Sequence, residues 1–407
     1  MAEDLIDFSL PENESSIIKV IGVGGGGGNA VNYMFQQGIK DVDFVICNTD
    51  AQALENSEIP VKIQLGESLT EGRGAGNKPE RGAQSAIENI DDVNEVLADN
   101  TKMVFITAGM GGGTGTGAAP VIAKAAKEQG ILTVGIVTIP FRFEGRQRLN
   151  QAIEGINKLK ENVDSLLVIN NEKLSEIYGD LKLSTAFAKA DDVLATAAKG
   201  IAEIITLHGY INVDFEDVKT VMTDSGVAVM GSASAEGEDR SVNAIREALT
   251  SPLLNSNDVR GARNILLNIS SGEEEVTMDE VGQITDYVQE AVGDSASIIW
   301  GTGQDLALGN RVSVTIIATG FENGGITEEV EKPKATVFRG GRGTAQQTKM
   351  ALEEDPKVEE KKVVLTDLKD AEIDELESIP AYKRKQQKLD QKRYHSGNVI
   401  KFTLDDE

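Results

Sequence analysis

The chain has 407 residues, with 40 lysines and arginines against 66 aspartates and glutamates, a net charge of -26. That length accommodates two domains plus tails, and the acidic balance argues against nucleic acid as the main partner. A single cysteine, Cys47, excludes an intrachain disulfide, and two histidines, His208 and His395, make a histidine zinc site or a Ser-His-Asp triad hard to assemble.

Residues 1–14 are polar and acidic, with neither a basic n-region nor an apolar h-region, which predicts a flexible arm and no signal peptide. Ser16–Gly22 is a β-like run; Val23, the five glycines Gly24–Gly28, Asn29 and the helical stretch Ala30–Gln37 follow it. Gly22, Gly24 and Gly27 fit the G-x-G-x-x-G dinucleotide fingerprint, for which Asp50 could supply the ribose acid. The apolar runs Phe44–Cys47, Met103–Ala108, Thr133–Ile139 and Leu166–Ile169 alternate with helical stretches, the βαβ pattern of a parallel sheet covered on both faces. Cys47 lies within the first of these and reads as a core residue of a reducing compartment. The longest apolar segment, Ile131–Phe141, is too short to span a bilayer. Ser184–Leu207 repeats apolar residues at steps of three and four and is alanine-rich on its other faces, which predicts a long helix buried between two domains. Strands are expected at Val227–Met230, Ile265–Ile269, Ser297–Trp300 and Val312–Thr319, with helices at Val242–Leu249 and Met278–Val292. Residues 323–375 are charged and aperiodic, a disordered linker; Lys383–Arg393 is basic and Leu404–Glu407 acidic again. The expected plan is an arm at 1–14, a first α/β domain at 15–183, a central helix at 184–211, a loop and second, smaller α/β domain at 212–322, a linker at 323–375 and a tail at 376–407.

The chemistry concentrates in Gly111-Gly-Gly-Thr-Gly-Thr-Gly117, which joins the apolar run Met103–Ala108 to an alanine-rich helix. Five glycines in seven residues let backbone N–H groups approach an anion, the helix start adds its positive dipole end, and Thr114 and Thr116 can donate hydroxyls. No Gly-Lys-Ser/Thr closes the loop, so it is not a Walker A site. A nicotinamide fold needs one such loop; two loops at the ends of parallel strands suggest one nucleotide whose phosphates are held from two sides.

These motifs resemble the tubulin/FtsZ family in its bacterial cell-division branch. Gly111–Gly117 is similar to that family's signature. Gly22–Asn29, Asn48-Thr-Asp-Ala-Gln-Ala-Leu54, Gly74-Ala-Gly-Asn-Lys-Pro79, Pro140-Phe-Arg-Phe-Glu-Gly145 and Asn212-Val-Asp-Phe-Glu-Asp217 match its other motifs in order. The resemblance implies a Rossmann-like GTP-binding domain, a central helix, a second α/β domain and a disordered C-terminal tail. It implies GTP and GDP as ligands with Mg²⁺, and GTP hydrolysis that depends on polymerisation. Gly24, Gly25, Gly26 and Gly111, Gly112, Gly113, Thr114, Gly115, Thr116 and Gly117 would cradle the phosphates, and Ala75, Gly76 and Asn77 would sense the γ-phosphate. Phe187 and Asp191, four apart on one helix face, would stack on guanine and accept its N1–H and N2–H; Asn29 and Asn171 would add base or sugar contacts. Glu144 would meet the ribose, Arg148 the sugar or γ-phosphate, and Asp50 a phosphate-bound Mg²⁺ through water. Asn212, Asp214 and Asp217 would enter the pocket of the next subunit and position the attacking water, in a head-to-tail polymer that does not close.

Leu376–Lys385, with Ile379-Pro380-Ala381-Tyr382 at its centre, resembles the peptide with which the family docks membrane tethers such as FtsA, among other division proteins. Lys383 stands where the family has a large apolar residue, Asn170 where it has a proline, and 386–407 matches nothing in it. The expected location is the bacterial cytosol, at a ring in mid-cell. Two other readings compete. A nicotinamide-dependent oxidoreductase leaves 111–117 and 212–217 unused and lacks a proton donor, and a non-hydrolysing GTP binder leaves Asp214 and Asp217 without a purpose.

Overall fold

The structure, a computed structural model, describes residues 15–39, 41–178, 182–206, 210–211, 213–250, 259–293 and 296–321. The expectations for the arm, the linker, the docking peptide and Asn212 lie outside these residues. The described residues all belong to one compact unit, Met1–Pro333. In its first half the order is β1 (Ile18–Val23), α1 (Gly24–Gln36), β2 (Asp43–Asn48), α2 (Ala51–Glu55), β3 (Val61–Gln64), α3 (Glu67–Thr70), α4 (Pro79–Glu88), α5 (Ile90–Ala98), β4 (Met103–Gly109), α6 (Thr114–Glu128), β5 (Leu132–Ile139), α7 (Arg146–Lys160), β6 (Ser165–Asn170) and α8 (Asn171–Tyr178). The long helix α9 (Leu183–Thr206) follows. Then come α10 (Phe215–Met222), β7 (Gly226–Ala235), α11 (Arg240–Leu249), β8 (Asn264–Ser271), α12 (Met278–Val292), β9 (Ser297–Gln304) and β10 (Val312–Thr319).

The strands form one ten-stranded sheet in the order β3-β2-β1-β4-β5-β6-β7-β10-β8-β9. Neighbours from β3 to β7 pair in parallel, while β10 runs antiparallel to both β7 and β8. The central strands β1 and β5 are buried along their whole length, which is why they read as unbroken apolar runs and not as alternation. Within the sheet the two halves join through three residue pairs, Ser165–Leu167 of β6 against Gly226–Ala228 of β7. Lys127, at the end of α6, reinforces this seam by bridging Asp164 (3.1 Å) and Asp224 (2.8 Å).

Helix α9 packs the halves together. Leu194, Ala197, Ile201 and Ala202 share one core cluster with Ile136 and Leu167 of the first half and with Met230, Leu266 and Ile317 of the second. A second cluster lies under α4 to α7 on the opposite face of the first half, and a third lies under α11 and α12. Covering the parallel part on both faces leaves its strand ends as the place where a ligand can reach backbone groups.

Candidate functional site

Almost every residue singled out in the first half follows the carboxyl end of a parallel strand: Gly24 after β1, Asp50 after β2, Gly111 after β4, Glu144 after β5 and Asn171 after β6. The two glycine loops touch. Gly24 has φ +73°, and a Cβ there would lie 2.8 Å from the backbone N of Gly115 and 3.2 Å from Cβ of Thr114. Only glycine permits that approach. Neither α1 nor α6 has a side-chain N-cap, so two helix starts converge with N–H groups that no side chain satisfies. A Cβ on Gly25 or Gly112 would meet nothing within 4 Å, so these two face open space. Gly22 and Gly27, the other members of the dinucleotide-like fingerprint, are packing residues: a Cβ on Gly22 would lie 2.5 Å from the Gly27 carbonyl, and one on Gly27 2.2 Å from that of Thr107.

The threonines divide their work. Thr114, half-buried at the start of α6, makes a 2.6 Å hydroxyl–hydroxyl bond with Thr49. Thr116 is buried, and its oxygen accepts the Gly111 N–H at 2.9 Å, so it folds the loop from within. Gly113 also packs internally, since its Cβ direction runs into Ala75 (2.8 Å), Lys78 N (3.0 Å) and Asn77 N (3.3 Å). The 74–77 loop is thereby set against the phosphate loop. Its backbone is left-handed at Gly74, Gly76 and Asn77. Asp50 caps α2 through Oδ1, which accepts the N–H groups of Gln52 and Ala53. Among the described residues no three His, Cys, Asp or Glu side chains cluster to hold a metal.

On the other side of the strand ends, two acids of α9 have different fates. Asp192 accepts the Tyr33 hydroxyl (3.0 Å) and pairs with Lys189 (2.8 Å). Asp191 has no partner among the described residues, and burial pushes its carboxyl up to about 6. Asn171, only 5 % exposed, leaves Oδ1 buried without a hydrogen bond. Unpaired acceptors of this kind, half-buried in Asp191 and buried in Asn171, call for a donor that no described residue supplies. Phe187 is 41 % exposed and rests edge-on against the buried ring of Phe141 (5.3 Å), which also stacks on Phe143 (4.9 Å). Phe141 was legible only as part of the 140–145 motif; its part in holding Phe187 emerges from packing. Glu144 accepts the Phe141 N–H (3.0 Å) and pairs with Arg148 (2.8 Å), so these two side chains brace each other.

The acids beyond α9 are placed differently from the loop expected. Asp214 is the N-cap of α10, and Asp217 sits in its first turn. Each accepts the other's backbone N–H, Asp217 N to Asp214 Oδ1 at 2.8 Å and Asp214 N to Asp217 Oδ2 at 3.3 Å. This reciprocal box uses one oxygen of each carboxylate and fixes both at the exposed start of a helix.

Two glycine loops meeting at the carboxyl ends of a parallel sheet, an acid unpaired among the described residues on a long helix, and a second α/β half are features of the tubulin-like GTPase class. Comparison with known proteins agrees. Residues 17–179 match the model of the Tubulin/FtsZ family GTPase domain, and 226–322 that of the FtsZ family C-terminal domain. The chain is 51 % identical over 325 residues to the cell division protein FtsZ of Porphyromonas gingivalis, covering 79 % of this chain and 71 % of the relative. It is 48 % identical over 343 residues to that of Pseudomonas aeruginosa, covering 84 % and 85 %. An empty FtsZ dimer from M. jannaschii superposes with a TM-score of 0.71 at 43 % identity, over 75 % of this chain and 88 % of that one. The chain belongs to the FtsZ family: it is a tubulin-like cell-division protein that binds guanine nucleotide and hydrolyses GTP.

Proposed function

We propose that GTP lies across the two glycine loops of one copy and is hydrolysed with acids from the next, in a head-to-tail polymer. The observation that carries this reading is the meeting of two uncapped helix starts at Gly24 and Gly115. Backbone N–H groups around Gly24, Gly25, Gly26, Gly112 and Gly115, with the Thr114 hydroxyl, hold the phosphate oxygens, while Gly111, Gly113, Thr116 and Gly117, whose N–H is donated to the Gly113 carbonyl (3.1 Å), shape that loop. Ala75, Gly76 and Asn77 report the γ-phosphate. Asp191 accepts the guanine N1–H and N2–H, Asn171 and Asn29 meet base or sugar, Phe187 stacks, and Glu144 with Arg148 lines the ribose side. Mg²⁺, when bound, offsets phosphate charge. A lone carboxylate such as Asp50, one oxygen of which is spent on the α2 cap, suits an ion that takes most of its ligands from phosphate and water.

Asp214 and Asp217, with Asn212, orient the water that attacks the γ-phosphorus of the neighbour's GTP and take up its proton, as the bond to the GDP oxygen breaks. Just before these acids the chain exposes apolar side chains at Tyr210 and Ile211. Tyr210 (88 % exposed) and Met278 (83 % exposed) line a cleft of about 420 Å³ with Ile211 and Trp300, which suits burial against a second copy. The solved M. jannaschii relative is itself a dimer. Ile379-Pro380-Ala381-Tyr382 docks a membrane tether such as FtsA or another division protein, and the polymer gathers in a ring at mid-cell. Among the described residues no helix is long and apolar enough to cross a membrane. Titration of dilute protein with GTP, GDP and ATP tests the ligand. GTP and GDP should bind and ATP should not; equal affinity for ATP and GTP would sink the guanine reading.

A further inference from the structure

We infer that Thr49 is a positioning residue for nucleotide binding, setting the direction in which the Thr114 hydroxyl points its proton. The inference rests on reading 111–117 as the phosphate cradle. Thr49 follows β2 and is 0 % exposed, so it acts from behind the surface that Thr114 presents. Its hydroxyl lies 2.6 Å from that of Thr114, and either can be the donor. Its carbonyl accepts the Gly74 N–H (3.1 Å) and the Thr70 hydroxyl (3.3 Å). One buried residue thus ties the start of α6 to the turn that leads from α3 into the 74–77 loop.

The proton count gives the role. Thr114 has one hydroxyl hydrogen. If it donates to Thr49, it presents only lone pairs outward, which repel an anion. If Thr49 donates to Thr114, the Thr114 hydrogen is released toward a phosphate oxygen, and its donor strength rises because its own oxygen is accepting. Phosphate binding therefore selects the second arrangement, and Thr49 supplies the proton that makes it complete. Replacing Thr49 by valine keeps shape and both carbonyl bonds but removes this donor.

The test is a double-mutant cycle read as affinity for GDP and a slowly hydrolysed GTP analogue, titrated into dilute protein. Thr114→Val should weaken binding roughly 10- to 100-fold, the scale of a lost hydrogen bond to a charged group. Thr49→Val should weaken it about 3- to 10-fold, and Thr49→Ser, which keeps the hydroxyl, should stay within about twofold of wild type. In the Thr114→Val background, Thr49→Val should add nothing, because the hydroxyl it directs is gone. Thr49→Ala, smaller than valine, provides a second hydroxyl-free variant should the first fail to fold. A Thr49→Val effect of equal size with and without Thr114, or no effect at all, would overturn the inference while leaving the cradle in place. Unchanged affinity in Thr114→Val would remove the cradle reading and this inference with it.

Discussion

Asp191 carries a burial cost that no described residue offsets. Its carboxyl sits at about 6 instead of the ordinary 3.8 because burial disfavours the charge. The sign follows. The folded, empty protein holds this proton more tightly than the unfolded chain, so the group favours folding at low pH and loses that contribution as pH rises through 3.8 to about 6. If that carboxylate accepts the guanine edge as proposed, wild-type affinity for GDP should fall about tenfold between pH 7 and pH 5. Asp191→Asn should bind weakly at both values, without that part of the slope. Identical pH profiles for the two proteins would show that Asp191 does not meet the base. The glycines make an equally specific forecast, because their directions differ. Gly112→Val points into open space, so nucleotide binding should be lost with the melting temperature nearly unchanged. Gly117→Ala would place a Cβ 1.9 Å from the Pro79 carbonyl and should cost about 1–3 kcal/mol of stability. Thermal melts alongside binding isotherms separate the two, and a Gly112→Val protein of normal affinity would contradict the assigned cradle.

At the scale of elements, the acids that cap α10 are also the pair proposed to position water, and variants separate the two roles. Asp214→Ala removes an N-cap and should destabilise the protein by about 1 kcal/mol, besides slowing hydrolysis. Asp217→Asn keeps an oxygen for the cap and removes only the charge. It should melt like wild type and bind GTP, yet hydrolyse it roughly 10²–10⁴-fold more slowly. Normal turnover in that variant would leave the acids as caps alone. The same scale shows what the sequence could disclose. The buried strands and α9 were legible because burial on several sides writes itself as apolar runs and steps of three and four. Helix α4 was not. It meets α6 through backbone contact at glycine, with a Cβ on Gly82 2.3 Å from the Gly113 carbonyl, so no apolar stripe marks it. Edge strand β3 is short and half exposed, and it left no alternation to read. Asp214 and Asp217 read as loop acids, although their spacing of three is that of a capping box.

For the whole molecule, the glycine-loop reading comes from the residues themselves and the guanine reading only through resemblance. Glycine at a helix start has few other uses, whereas Asp191 and Asp192 look alike in sequence, and only the fold shows that Tyr33 and Lys189 take one and leave the other. In the proposed scheme the glycine loops on the parallel strand ends and the acids at the start of α10 are complementary halves of one reaction. A single copy cannot bring its own halves together if the acids serve a neighbour. The most direct measurement is GTP turnover per molecule across a dilution series of the wild-type protein. Almost no turnover is expected below a threshold concentration, with a steep rise above it as contacts form. Constant turnover per molecule down to the most dilute sample would contradict hydrolysis shared between copies.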